Sequence, residues 1–219
     1  MKNIPRIFID QDIAPGDIVP VARDVAHYLG HVMRTKNCLV FHAGDEFYAE
    51  LTDDEKHFVI GDKTAHSDPS NNVTLYFAPI KRVDDLINMA TQMGIAQFVP
   101  VITERTVAHH VNWERMKKIA IESAEQSNRN SVPKISEPIP FTKMDLHNIA
   151  FADERTAYNQ QPNSEIPSNI KSILVGPEGG FSDSEFAALD NAGAVSVTLG
   201  KTILRAELAA VIATEKILK

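Results

Sequence analysis

The stretch Val175-Gly176-Pro177-Glu178-Gly179-Gly180-Phe181-Ser182 decides the fold class and places a candidate ligand site. The apolar run 172–175 predicts a strand, and Ser182 with Glu185 three residues later predicts the start of a capped helix. Ligands of open α/β sheets bind outside the carboxyl ends of the strands, where glycines let the backbone approach them closely. The segment lacks the GxGxxG and GxxxxGK[ST] patterns, so it indicates neither a dinucleotide site nor a P-loop. A simple tight turn between strand and helix is the alternative.

A second segment, Leu199-Gly200-Lys201-Thr202-Ile203-Leu204-Arg205-Ala206-Glu207, repeats the order strand, glycine, apolar bend and helix start. Ile203 and Leu204 lie in a connection, where exposed apolar side chains need a partner to cover them. Two such loops at one sheet edge would form a pocket with apolar walls and backbone polar groups, which suits an adenine-like ring. Core packing of Ile203 and Leu204 under a short loop is the alternative.

Around these loops, residues 73–219 alternate between strand and helix patterns, which predicts an α/β fold with a mostly parallel sheet covered on both faces. The predicted strands are 73–78, 98–102, 148–152, 172–175 and 195–199, and the predicted helices are 83–93, 112–130, 182–191 and 206–218. The proline-rich stretch 133–167 is otherwise expected to be loop.

The N-terminal segment 1–68 has a different character. Its short runs 6–9, 37–41 and 46–51 are rich in aromatic and branched residues, and one helix is expected at 21–29. A small β-barrel of about 65 residues is the economical prediction. The polar cluster 66–72 then predicts a linker or domain boundary.

Composition limits the class of protein. The chain has 219 residues with a net charge of −7, and residues 1–68 account for −5 of it. It has one cysteine, Cys38, and no apolar run of about 18 residues. We expect a globular cytosolic protein without a disulfide, a secretory leader or a membrane span. The acidic balance argues against non-specific binding of nucleic acid, because phosphate binding needs local positive charge.

The two loops, GPEGGFS and LGKTILRAE, closely resemble the signature of the ribosomal RNA small subunit methyltransferase E (RsmE) family of the SPOUT superfamily. The resemblance extends over nearly the whole chain. It includes Arg6-Ile7-Phe8, the segment 27–34 (HYLGHVMR), Gly44-Asp45, Glu104-Arg105 and the segment 122–133 (ESAEQSNRNSVP). The chain differs from the family pattern at Met89, Gln92, Ala206 and Leu208.

This resemblance implies a PUA-like RNA-binding β-barrel at 1–68 and a SPOUT methyltransferase domain with a trefoil knot at 73–219. It also implies a homodimer that transfers a methyl group from S-adenosylmethionine to N3 of a uridine in small-subunit (16S) ribosomal RNA, without a metal. The residues expected to bind the cofactor are Val175, Gly176, Pro177, Glu178, Gly179, Gly180, Leu199, Gly200, Ile203 and Leu204.

Arg205 and Glu178 are the candidate catalytic residues. Arg205 keeps its proton, so it cannot act as a base, but it could orient the target phosphate or stabilise the uracil anion. A helix-start arginine paired with Glu207 or Asp183 is the alternative. Glu178 could contact the ligand or the partner subunit, or it could simply be a loop carboxylate favoured near a helix N-terminus.

Candidate RNA contacts are mostly basic. They are Arg6, Arg23, Arg34, Lys36, Gln126 and Arg129. For the first four the alternative is an ordinary surface charge, which is the more common role of a single basic residue, and for Gln126 and Arg129 it is a solvated polar face of one helix. His27 and His31 have a spacing that zinc could use, but no third ligand accompanies them, so no metal site is predicted. Two other functions stay open, a non-catalytic RNA-binding or ribosome-assembly protein and a small-molecule enzyme with an adenosine-containing cofactor.

Overall fold

The computed structural model describes residues 4–69, 71–107, 111–155 and 165–219. The chain divides into two compact units. The first comprises Met1–Ser70 with Ile121–Val132, and the second comprises Asn71–Ala120 with Pro133–Lys219.

The first unit is built on a five-stranded sheet of order β1-β3-β4-β5-β2. Its strands are β1 (Arg6–Phe8), β2 (Ile18–Pro20), β3 (Asn37–His42), β4 (Asp45–Leu51) and β5 (His57–Ser67). All pairings are antiparallel except that of β1 with β3. Alternate residues face a core that contains Val40, Phe58 and Cys38. Burial raises the pKa of Cys38 to about 12, which fits an inert core thiol.

The α-helix expected at 21–29 is shorter than predicted and is followed directly by a π-helical turn. The helix α1 (Arg23–His27) passes into a π-helical turn, Tyr28–Met33. Arg34 ends this turn in the left-handed region at a φ of 53°. The one core-facing residue of the turn, Leu29, is fully buried.

The second unit contains a seven-stranded sheet of order β12-β10-β11-β6-β7-β8, with β9 paired to β7. Its strands are β6 (Thr74–Phe77), β7 (Gln97–Ile102), β8 (Lys134–Ile135), β9 (Ile139–Pro140), β10 (Ala150–Ala152), β11 (Ser172–Val175) and β12 (Val195–Val197). Every pairing is parallel, so the predicted α/β fold with a mostly parallel sheet is confirmed.

Among the described residues, this unit also contains the helices α2 (Val83–Met93), α4 (Asp183–Asn191) and α5 (Ala206–Leu218). The helix α3 (Trp113–Gln126) belongs to this unit up to Ala120 and to the first unit from Ile121. The predicted end of α2 is confirmed, because Gly94 adopts a φ of 109° that favours glycine. The helix predicted at 112–130 ends earlier, at Gln126, because Asn128 turns into the left-handed region at a φ of 65°.

The polar cluster 66–72 differs in part from the expectation of a linker, because His66 and Ser67 end strand β5. That end of the strand has polar or small residues on both faces, so it lacks the alternation that would reveal a strand. The Asp68 carboxylate then accepts hydrogen bonds from the backbone N–H groups of Asn130 and Ser131, both at 2.9 Å.

Candidate functional site

A pocket of about 490 Å³ lies in the second unit at the carboxyl end of β11, where the two glycine-containing loops meet. Both candidate catalytic residues, Arg205 and Glu178, line it. Of the residues expected to bind the cofactor, all line the pocket except Gly179. The two loops, whose nearest pocket-lining residues Phe181 and Leu199 are 18 positions apart in the sequence, are therefore brought together into one concave site of a size typical for small ligands.

The first loop is shaped by Gly180, which adopts a φ of +67° and donates its N–H to the carbonyl of Pro177 at 2.9 Å. A Cβ atom on Gly180 would lie 1.9 Å from Oε1 of Glu154. A Cβ atom on Gly176 would lie 3.1 Å from the ring of Phe181. The backbone angle at Gly180 thus favours glycine, and a side chain at Gly176 would require the Phe181 ring to move by a few tenths of an ångström.

The start of α4 carries the predicted capping box. Ser182 Oγ accepts the N–H of Glu185 at 3.3 Å, and Glu185 Oε2 accepts the N–H of Ser182 at 2.9 Å. The buried Glu185 carboxylate has a second role, because its Oε1 accepts the backbone N–H of Glu104 at 2.8 Å. The carboxylate thus connects the first loop to the turn that follows β7.

The second loop presents apolar surface to the pocket. Ile203 is 59% exposed, which shows that the alternative of core packing is wrong for this residue. Thr198 Oγ1 accepts the N–H of Gly200 at 3.3 Å and donates to the carbonyl of the same residue at 3.0 Å. The hydroxyl thereby fixes the bend at Gly200, and Ile203 and Leu204, further along the same loop, line the pocket.

Arg205 is exposed and immediately precedes α5. Within the described residues it has no ion pair, so the expected alternative of pairing with Glu207 or Asp183 is not found. Glu207 instead lies 3.7 Å from Nη1 of Arg82. The guanidinium of Arg205 is therefore free to interact with a ligand at the pocket.

Glu178 is exposed, and its Oε1 accepts the backbone N–H of Lys81 at 3.2 Å. This hydrogen bond links the first loop to the segment between β6 and α2. One carboxylate oxygen of Glu178 thus has a structural role, while the residue still lines the pocket.

Two acidic residues that line the pocket, Asp153 and Glu154, were not predicted from the sequence. Asp153 is 4% exposed and accepts hydrogen bonds from Ser196 Oγ at 2.8 Å and from the Arg155 guanidinium. Glu154 has no hydrogen bond or ion pair among the described residues. Burial, and secondly the charge of Asp153, raise the pKa of Glu154, while Arg105 acts in the opposite direction. Such a carboxylate in a cleft can interact with a cationic ligand group.

The candidate RNA contacts fall into two groups. Arg23, Arg34, Lys36 and Gln126 are exposed. Lys36 is ion-paired with Asp53, and this pairing raises the pKa of the lysine. Arg23 and Arg34 have no hydrogen-bond acceptor or ion pair among the described residues, so their side chains are the freer ones.

The predictions for Arg6 and Arg129 need correction, because both side chains lie inside the first unit. The Arg6 side chain is 7% exposed. Its five N–H groups are all used, by the Glu46 carboxylate, the carbonyls of Ala124, Glu125 and Arg129, and the Asn130 side chain. Arg129 is buried beside Asp68 and donates to Ser131 Oγ at 3.1 Å. Neither guanidinium presents an open face to a phosphate.

Membrane and metal signals are both missing from the part of the chain that the structure describes. No helix there is long and apolar enough to cross a membrane. The same ranges contain no cluster of three or more His, Cys, Asp and Glu side chains that could hold a metal ion. The rings of His27 and His31 stack with their centroids 4.5 Å apart.

Comparison with known proteins identifies the class to which this fold and pocket belong. Residues 67–218 match the family model of an RNA methyltransferase domain. The chain is 34% identical to the ribosomal RNA small subunit methyltransferase E of Rickettsia conorii, over 97% of this chain and 94% of that relative. The corresponding protein of Mesomycoplasma hyopneumoniae is 31% identical, over 80% of this chain and 82% of the relative. The chain therefore belongs to the ribosomal RNA small subunit methyltransferase E family.

A solved structure supports the same assignment. The ribosomal RNA small subunit methyltransferase E of Neisseria gonorrhoeae, determined with bound S-adenosyl methionine, superposes with a TM-score of 0.85 at 26% identity. The match covers 97% of this chain and 96% of that chain. Both units of the described fold thus have a counterpart in a methyltransferase of known structure.

Proposed function

We propose that this protein uses S-adenosylmethionine to methylate N3 of a uridine in small-subunit (16S) ribosomal RNA. The observation that carries the proposal is the pocket itself, in which both family loops meet at the carboxyl end of β11. The family membership and the cofactor bound to the Neisseria gonorrhoeae relative support S-adenosylmethionine as the cofactor.

The residues of the pocket fit this cofactor. Ile203, Leu204 and the backbone of both loops provide the apolar and polar surfaces that an adenosine group needs. Glu154, whose carboxylate is unpaired among the described residues, offers negative charge to the cationic part of the molecule. Bound there, S-adenosylmethionine supplies a methyl group on a positively charged sulfur.

For the reaction, the uracil N3–H has to give its proton to water or to another base, because Arg205 stays protonated, and N3 would then take up the methyl group that the bound cofactor supplies. The electron pair of the broken carbon–sulfur bond would stay on sulfur, so the products would be N3-methyluridine and S-adenosylhomocysteine. The protein has to align the two reactants and to stabilise the charge that develops on the uracil. Arg205, a free cation at the pocket, is proposed to stabilise this charge or to orient the target phosphate, and Glu178 to contact the ligand.

The finer features that the resemblance implies belong to the same proposal. The five-stranded unit is proposed to be a PUA-like RNA-binding domain, with Arg23, Arg34, Lys36 and Gln126 as RNA contacts. The loops of the second unit are proposed to form a trefoil knot. A homodimer is supported by Leu208 of α5, which is 45% exposed on a helix with few polar residues. The protein is proposed to act in the cytoplasm.

The net charge of −7 limits the kinds of RNA that the protein can bind as substrate. An acidic protein has little long-range attraction for RNA, so binding depends on local complementarity. We therefore propose that the substrate is a structured ribosomal particle, the assembled small subunit, and that random RNA binds weakly at physiological salt.

The test is methyl transfer from labelled S-adenosylmethionine to small subunits that lack their modifications, with naked 16S RNA in parallel. Digestion to nucleosides should place the label in N3-methyluridine, with more label in subunits than in naked RNA. Label in another nucleoside would refute the N3 assignment. Absence of label together with absence of cofactor binding would refute the enzyme and favour a non-catalytic RNA-binding protein.

A further inference from the structure

The turn that follows β7 is internally fixed. Thr103 donates its backbone N–H to Oγ1 of Thr106 at 2.9 Å, and Thr106 donates its N–H to the carbonyl of Thr103 at 3.2 Å. The two hydroxyls are 2.8 Å apart, and both threonines are 4% exposed. Residues 103–106 therefore form a rigid turn whose central residues, Glu104 and Arg105, are held in a defined direction.

Both central residues are hydrogen-bonded to the segment that carries the first loop of the pocket. Glu104 donates its backbone N–H to the Glu185 carboxylate. Arg105 donates from Nη1 to the carbonyl of Gly179 at 3.0 Å and to the carbonyl of Phe181 at 3.1 Å. The Arg105 side chain also packs against Gly179, where a Cβ atom would lie 3.4 Å from Cβ of the arginine.

These two carbonyls belong to peptide groups whose other ends are already hydrogen-bonded. The carbonyl of Gly179 shares a peptide plane with the N–H of Gly180, which donates to Pro177. The carbonyl of Phe181 shares a plane with the N–H of Ser182, which donates to Glu185. With Arg105 bonded to both carbonyls, the peptide group before Gly180 and the peptide group after Phe181 are each hydrogen-bonded at both the N–H and the carbonyl.

Arg105 itself does not line the pocket, whereas Gly180 and Phe181 do. We propose that Arg105 is a positioning residue that preorganises the cofactor loop by holding these two peptide planes. A loop that is fixed before binding loses less conformational entropy when the ligand arrives, so the effect is on cofactor affinity. This inference rests on the proposed function, because it assigns the loop to S-adenosylmethionine.

The test compares Arg105→Ala and Arg105→Lys with the control Arg115→Ala. Arg115 is an exposed arginine of the same unit that pairs with Asp84 and does not line the pocket. The readouts are the Kd for S-adenosylmethionine by calorimetry, the KM and kcat for methyl transfer, and the unfolding midpoint of each variant.

We expect Arg105→Ala to raise the cofactor Kd and KM about tenfold while kcat at saturating cofactor and RNA affinity stay near wild type. Arg105→Lys should lie between, because one ammonium can reach one carbonyl, and Arg115→Ala should match wild type. If Arg105→Ala does not fold, the comparison of Arg105→Lys with wild type carries the test.

An unchanged cofactor Kd in both variants would overturn the inference, and weakened RNA binding in that case would make Arg105 an RNA contact. A proportional fall of kcat with unchanged KM would also overturn it. If instead the proposed function is wrong, the wild-type protein itself will bind S-adenosylmethionine without methylating RNA, or will not bind it at all. That result is distinct from a change seen only in the Arg105 variants.

Discussion

The backbone N–H of Glu104 and the buried carboxylate of Glu185 are joined by a 2.8 Å hydrogen bond that crosses from the turn after β7 to the start of α4. The other carboxylate oxygen caps α4 by accepting the N–H of Ser182. One side chain therefore satisfies two backbone donors that belong to different segments, the turn after β7 and the start of α4.

Replacing Glu185 with glutamine should destabilise the protein by about 1–3 kcal/mol, because the amide NH₂ would face one of these two N–H groups and leave it unsatisfied. Denaturant unfolding measures the effect. Glu114→Gln is the control, since the Glu114 side chain is 79% exposed and pairs only with Lys117 among the described residues. Equal stability of the two variants would contradict the bridging role of Glu185.

Gly180 and Gly193 form a matched pair for testing the first loop. Their φ angles are +67° and +70°, but a Cβ atom at Gly180 would collide with Oε1 of Glu154, whereas one at Gly193 would have no atom within 4 Å. Alanine at either position should cost about 1–2 kcal/mol for the left-handed backbone. Gly180→Ala should in addition raise the Kd for S-adenosylmethionine about tenfold, because the Glu154 carboxylate, which lines the pocket, must move away from the new methyl group. Calorimetry that gives both variants the same Kd would argue against the placement of the cofactor.

Arg205 is predicted to act on the substrate rather than on the fold. Because it is exposed and has no ion pair among the described residues, Arg205→Ala should leave the unfolding free energy and the cofactor Kd unchanged. Methyl transfer to small subunits should fall by about 10²-fold, the size expected when one charge-stabilising group is lost. Full methyl transfer with normal RNA binding would show that the assignment is wrong.

Alanine substitutions of Arg6 and of Arg23 should have opposite effects, because Arg6 stabilises the fold and Arg23 is proposed to bind RNA. Arg6→Ala removes the partner of the buried Glu46 carboxylate and should cost about 3–5 kcal/mol of stability. Arg23→Ala should change stability by less than about 0.5 kcal/mol, because the side chain is exposed. Binding to small subunits should weaken in Arg23→Ala. The reverse pattern in unfolding and binding assays would restore Arg6 as an RNA contact.

The parts of the fold that the sequence predicts well are those with local signals. The end of α2 depends on Gly94, and the start of α4 depends on Ser182 and Glu185, all within a few residues of the feature they define. The two loops of the pocket were likewise predictable, because each combines a strand end, a glycine and a helix start in one short segment.

The features that escaped prediction depend on contacts between distant segments. Glu154 follows the predicted strand 148–152, but its place at the pocket depends on the pairing of β10 with β11, which the sequence does not show. Arg6 is buried because its acceptors lie 40 residues away at Glu46 and 124 residues away at Asn130. Periodicity and motifs describe neighbouring residues, so they carry no signal for such partners.

If the segments 175–180 and 199–204 hold S-adenosylmethionine, as proposed, hydrogen exchange of their backbone amides should change when the cofactor binds. Exchange is measured by mass spectrometry on the full chain with and without saturating cofactor. We predict slower exchange in both segments on binding, and unchanged exchange in the strands β3 and β4 of the first unit. Protection confined to other segments, or no protection at cofactor concentrations that support methyl transfer, would contradict this placement of the cofactor.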